Sequence, residues 1–208
     1  MASNTKYSLA LKNAQQDRIT AAAGANCLID VMSGTQATNP DTALGSQVIL
    51  ATLTGNATFA PGAAAGVLTL NSITSNTGTA GAGAGTVATW FRMKTSGGVA
   101  QVDGTVGTVV TNALTASASG GLLTVSAAAA ATIAVGQAIT GSGVPANTTV
   151  IALGTGTGGT GTYYLNNAVN LSSQSMTAST VFDLNINNTN IATGQTVAVT
   201  SWTLTNNN

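Results

Sequence analysis

The sequence predicts a mainly β protein: an antiparallel β-sandwich, Ig-like or jelly-roll-like, with one N-terminal helix and a small inserted all-β domain. Three observations carry this reading. Short runs of Val, Leu, Ile and Thr alternate with small or polar residues at the two-residue period of a strand. Turn signals built on Gly, Pro, Asn and Ser recur every ten residues or so, the spacing of a sandwich. No charged residue occurs between Asp103 and Asp183, whereas charges are scattered through the stretch up to Asp103.

The helix is expected over residues 7–23. Leu11, Ala14, Gln15, Arg18, Ile19 and Ala22 recur there at three- and four-residue spacing, and Ala21, Ala22 and Ala23 favour helix. Ser3 or Ser8 suits the N-cap, and Gly24 the end. Residues 27–32 and 48–53 are apolar runs of the kind found in buried strands, joined by a loop at 34–45 that contains Asn39, Pro40 and Asp41. A strand is expected at 66–73, then a Gly/Ala/Thr loop at 77–85. In the next strand, 86–94, Val87, Thr89, Phe91 and Met93 share one face, and Trp90, Arg92 and Lys94 the other. The turn at Ser96, Gly97 and Gly98 returns the chain along 99–104. At the far end Phe182, Leu184 and Ile186 alternate with Asp183, Asn185 and Asn187, and 197–205 closes the chain.

The uncharged middle reads as its own set of short strands at 122–126, 132–139, 148–153, 161–165 and 171–178. We expect residues 1–108 and 180–208 to form the outer sandwich and 109–179 to be a module inserted into one of its loops. Such insertions cost little, since loop-closure entropy grows slowly with length. One continuous larger sandwich is the alternative.

Composition limits the chemistry. The chain of 208 residues has five basic and five acidic residues, no histidine, and a charged fraction of 5%, against about a quarter in ordinary domains. Proton transfer, metal ligation and nucleophilic attack need side chains that this sequence barely contains. We therefore expect no enzyme activity, no catalytic residues, no cofactor and no metal. A glycosidase would need two placed carboxylates, and Asp30, Asp41, Asp103 and Asp183 fall in separate elements. With so few cations, nucleic acid is not an expected partner. Neither is a membrane, because no apolar run approaches the roughly 20 residues needed to span one. Residues ahead of Lys12, Asp17 and Arg18 lack the apolar stretch of a secretory signal, so synthesis in a cytoplasm is expected. Cys27 is alone among apolar neighbours and reads as a buried structural thiol.

The remaining motifs are weak. Gly154, Gly156 and Gly159 match a dinucleotide fingerprint as a string, but Tyr163, Tyr164 and Leu165 follow where a helix is required. The stretch reads as a flexible inter-strand loop. Asp183, Asn185 and Asn187 offer oxygen ligands like the start of a calcium loop, without its turn glycine or closing Glu. Arg92, Lys94 and Trp90 read as the exposed face of an amphipathic strand. Asn56, Asn147, Asn170 and Asn187 fit the glycosylation pattern by Asn/Thr richness alone.

Two groups of residues carry a resemblance. Thr86, Val87, Ala88, Thr89, Trp90, Phe91 and Arg92, then Val102, Asp103, Gly104, Thr105, Val106 and Gly107, then Asp183, Leu184 and Asn185, resemble small virion structural proteins of tailed bacteriophages. The inserted stretch, with Gly121, Leu122, Leu123, Thr124 and Val125, Ile133 to Gln137, Gly141 to Val144, and the glycines from Gly154 to Tyr163, resembles a module of phage tail-fibre and virion surface proteins. The resemblance implies a head decoration or cement protein on the capsid surface, made in the bacterial cytoplasm. Its implied partners are the major capsid protein and further copies of itself, most often as a trimer. A tail-fibre or receptor-binding component, contacting the host through the insert, is the alternative.

Overall fold

The computed structural model describes residues 7–130, 132–180 and 182–205. The fold is mainly β, with one helix, α1 (Leu9–Ala23), and curled sheets. Ser8 caps α1 by accepting a bond from Leu11 N, and Gly24 ends it at φ 67°. Ser3, the other cap expected from sequence, lies outside the described residues.

By contact the chain divides into two compact units, one of residues 1–108 with 182–208 and one of residues 109–181. The first contains β1 (Leu28–Ser33), β2 (Val48–Thr54), β3 (Val67–Thr69), β4 (Asn76–Thr77), β5 (Thr86–Val87), β6 (Trp90–Lys94) and β7 (Ala100–Gly107). The second contains β8 (Thr111–Ser119), β9 (Leu122–Ala128), β10 (Ala138–Gly141), β11 (Val150–Leu153), β12 (Gly161–Leu165) and β13 (Leu171–Ser179). The chain then returns to the first unit as β14 (Leu184–Ile186), β15 (Asn190–Ile191), β16 (Thr196–Val197) and β17 (Val199–Thr205).

In the first unit a seven-stranded sheet runs β2-β1-β6-β7-β14-β17-β3, with β15-β5 and β16-β4 as two-stranded extensions. Every pairing is antiparallel except β7 with β14, which is parallel. A purely antiparallel sheet was expected. The departure arises because β7 leaves for the second unit and β14 comes back beside it in the same direction, as a long crossover allows. Ile29, Val31, Leu50, Leu53, Phe59, Leu68, Phe91, Met93, Leu184 and Ile186 fill the core. Trp202 meets Phe59 and Phe91 edge-on at 5.6 and 4.9 Å, a geometry favoured by the ring quadrupoles.

The second unit is a six-stranded antiparallel sheet, β10-β13-β8-β9-β12-β11. Its ends also meet: Ile139 N donates to Thr148 O at 2.8 Å and Val150 N to Gln137 O at 2.9 Å. The ring of backbone bonds is thereby closed, and no long strand edge is left open. Asn112, Leu114, Ala116 and Ala118 of β8 alternate inward. Leu114, Ala116 and Ala118 join Leu123, Val125, Ile139, Tyr163 and Met176 in a separate core. The expected strand at 132–139 is displaced to Ala138–Gly141, and Ile133 instead plugs the core while its N–H bonds Gly158 O.

Of the helix's expected stripe only Ile19 packs against the core. Leu11, Ala14, Arg18 and Ala22 are exposed, whereas Gln16 and Ala23 are buried and Asn13, Ile19 and Thr20 half-buried. The polar face is used for docking: Asp17 accepts Ala63 N at 2.7 Å and Asn13 accepts Gly66 N at 2.8 Å.

Candidate functional site

The charged side chains that the sequence scatters over separate elements converge across three strands. The register of β1, β6 and β7 sets Asp30 opposite Arg92, and Arg92 opposite Asp103. Arg92 Nε donates to Asp103 Oδ1 at 2.8 Å and Nη2 to Oδ2 at 2.7 Å, the two-pronged pairing of a guanidinium with a carboxylate. Both side chains are about 5% exposed or less. Lys94 pairs with Asp30, whose Oδ1 accepts Thr52 Oγ1 at 2.7 Å. Trp90 lies beside the row, with its ring 5.5 Å from the guanidinium carbon.

The expected exposed face of this strand is therefore covered. Residues 34–45 lie over it, and Arg92 helps hold them, with Nη1 donating to Thr42 O at 2.9 Å and Nη2 to Asn39 O at 3.1 Å. The Asp103 bonds, above all, push the arginine pKa further up, so the cation persists at any working pH. One element of this row was within reach of the sequence. The hairpin turning at Ser96–Gly98 brings Arg92 near Asp103, but the pairing with Asp30 depends on a non-local strand.

A second constellation marks where the chain leaves and re-enters the first unit. Asp183 Oδ2 accepts both Thr105 N and Thr105 Oγ1 at 2.8 Å. Gly104 permits that approach, since a Cβ there would lie 2.6 Å from Phe91 Cε1 and 3.0 Å from Asp183 Oδ2. At Gly107 a Cβ would come within 2.3 Å of the Phe182 ring. Asp183, Asn185 and Asn187 do not converge as cation ligands would. Asn185 bonds Ser201 Oγ, and Asn187 bonds Thr196 O and Ala198 N. Among the described residues no group of three His, Cys, Asp or Glu is arranged to hold a metal.

The glycine string of the second unit is a fastened turn between β11 and β12, not a loose loop. Tyr163 Oη donates to Gly159 O at 2.7 Å and accepts Gly158 N at 3.0 Å. Gly156 lies so close that a Cβ would be 2.3 Å from Tyr163 Cζ. The asparagines that fit the glycosylation pattern serve local geometry: Asn56 accepts Thr58 N, and Asn170 accepts Gly120 N. Asn147 takes a left-handed φ of 59°. No helix among the described residues is long and apolar enough to cross a membrane.

Cys27 is fully buried, and Gly55 opposite has no room for a Cβ, which would sit 2.5 Å from Sγ. Burial pushes its thiol pKa up, with backbone bonds, that of Gly55 first among them, partly offsetting it. A thiol raised in the folded state stabilises the fold below the unfolded value of about 8.5 and loses that contribution as pH climbs through the folded value. We expect no reaction of the native thiol with a disulfide reagent at mildly alkaline pH and full reaction after denaturation. Fast labelling of the native chain would contradict this. Cys27→Ala is expected to cost about 1–3 kcal/mol in a denaturant melt, as a small packing loss.

No known protein family, curated protein or solved structure matches this chain.

Proposed function

We propose that this chain is a non-enzymatic structural protein of a bacteriophage virion, which decorates or cements the capsid surface. In this reading the first unit is a β-sandwich that docks on the major capsid protein. The second is an inserted β-domain that faces outward, and the protein acts as a homo-oligomer, with a trimer favoured. The observation that carries the reading is how the chemistry-bearing residues are used. The stretches on which the phage resemblance rests, around Arg92, Val102–Gly107 and Asp183, adjoin in one sheet. There Arg92, Asp103, Thr105 and Asp183 bond one another or nearby backbone. These groups hold a scaffold together and are not turned toward a small molecule. A surface with few charges to desolvate suits burial against other protein.

The experiment is to locate the protein on purified phage particles by electron microscopy and to count copies per virion by quantitative mass spectrometry. High, fixed copy number over the shell is the expected result. Density at the tail tip, or a few copies per particle, would move the protein to a tail-fibre role with the second unit contacting the host.

A further inference from the structure

Of the two ion pairs among the described residues, only that of Lys94 with Asp30 sets a primary amine against a carboxyl group. The register of β1 with β6 places Leu28 opposite Lys94 and Asp30 opposite Arg92. Lys94 and Asp30 are therefore diagonal neighbours on one face of the sheet. Lys94 Nζ is 2.5 Å from Asp30 Oδ2, yet that oxygen is buried and has no hydrogen-bond partner. The nitrogen is at contact distance but outside the angles of a hydrogen bond. An ammonium has three donors on a flexible stem and reaches those angles easily when it has room. Here the strands press the amine against the carboxyl group itself.

We propose that Lys94 and Asp30 condense into an intramolecular amide, Nζ to Cγ, that ties β1 covalently to β6. The ammonium passes one proton to Oδ2, and the freed lone pair attacks Cγ. A second proton follows to Oδ2 as the Cγ–Oδ2 bond breaks and one water leaves. Nζ keeps one hydrogen, the two charges cancel, and no outside reactant is used. Thr52 Oγ1 donates to Oδ1 at 2.7 Å, where the negative charge of the tetrahedral intermediate collects. Free amines and acids do not condense in water. Groups held in contact by a fold gain an effective concentration of roughly 10⁵ M or more. The Asp30 side chain is 1% exposed, which keeps bulk water from reversing the step, and Lys94, at 22%, leaves the released water a way out. The bond closes the chain from β2 through β5 into a loop that denaturation cannot open. It is independent of the capsid reading.

The test weighs the full-length chain, unfolded and reduced, by mass spectrometry. The wild type is expected to be one water lighter than its sequence. Trypsin applied to the unfolded chain cuts after Arg92. Residues 19–92 are then expected to stay joined to the fragment that begins at Met93, with no cut after Lys94. Lys94→Arg keeps a cation beside Asp30 without a primary amine, and Asp30→Ala removes the carbon that is attacked. Both are expected at full sequence mass, with the two fragments apart. A wild type at full mass that releases residues 19–92 overturns the proposal, however well either variant folds. Loss of water with residues 19–92 still released overturns it too, since the water then comes from another site.

Discussion

Arg92→Ala is expected to destabilise the first unit by about 3–5 kcal/mol. Removing the guanidinium leaves the Asp103 carboxylate, about 4% exposed, without its two bonds and without a counter-charge. It also frees the carbonyls of Asn39 and Thr42 that anchor the covering segment. For a chain of this size the shift in melting temperature is roughly 10 °C. Calorimetry should show it in the transition of the first unit alone, because none of these partners belongs to residues 109–181. Arg92→Lys is expected to recover little, since an ammonium cannot make the fork. Arg92→Met combined with Asp103→Leu should recover much of the loss, because no buried charge is then orphaned. An Arg92→Ala chain that melts like the wild type would show that the row contributes nothing.

Replacing Val109–Ser179 by a short Gly/Ser loop is expected to leave a soluble, folded first unit. The cut ends are already neighbours: Thr105 bonds Asp183, and Leu184 pairs with Val106. A loop of a few residues therefore closes the gap, at no more entropic cost than the present insertion. The excised stretch is expected to fold by itself. Its ends are paired through Thr111 and Ser179, its ring of strand bonds is closed, and its core is its own. Circular dichroism and thermal melting of both pieces check this. Loss of β signal and precipitation of the deletion variant would show that the two units fold only together.

The sequence by itself determined the element types wherever side chains are bulky or turns are explicit. Leu28–Ser33, Val48–Thr54, Gly161–Leu165 and Leu171–Ser179 lie within a residue or so of their expected positions. Ser8 and Gly24 bound the helix where capping chemistry puts them. Low charge, the lone thiol and the lack of histidine were equally plain from composition. Tertiary structure alone decided the rest. Thr111–Ser119, at nine residues one of the longest strands, lies at the middle of its sheet, yet composition does not announce it. Apart from Leu114 it is Ala, Ser, Thr and Asn, and it is a strand because β9 and β13 pair with both its edges. The helix stripe was legible as a period but not as a direction. Bonds from Asn13 and Asp17 to a loop some fifty residues away turn its polar side inward. Arg92 was legible as a charge on an alternating strand. Only a covering loop and two neighbouring strands, one of them about sixty residues earlier in the chain, make it a buried ion pair. Local periodicity reports which side chains share a face, and burial is fixed by whatever the fold brings to that face.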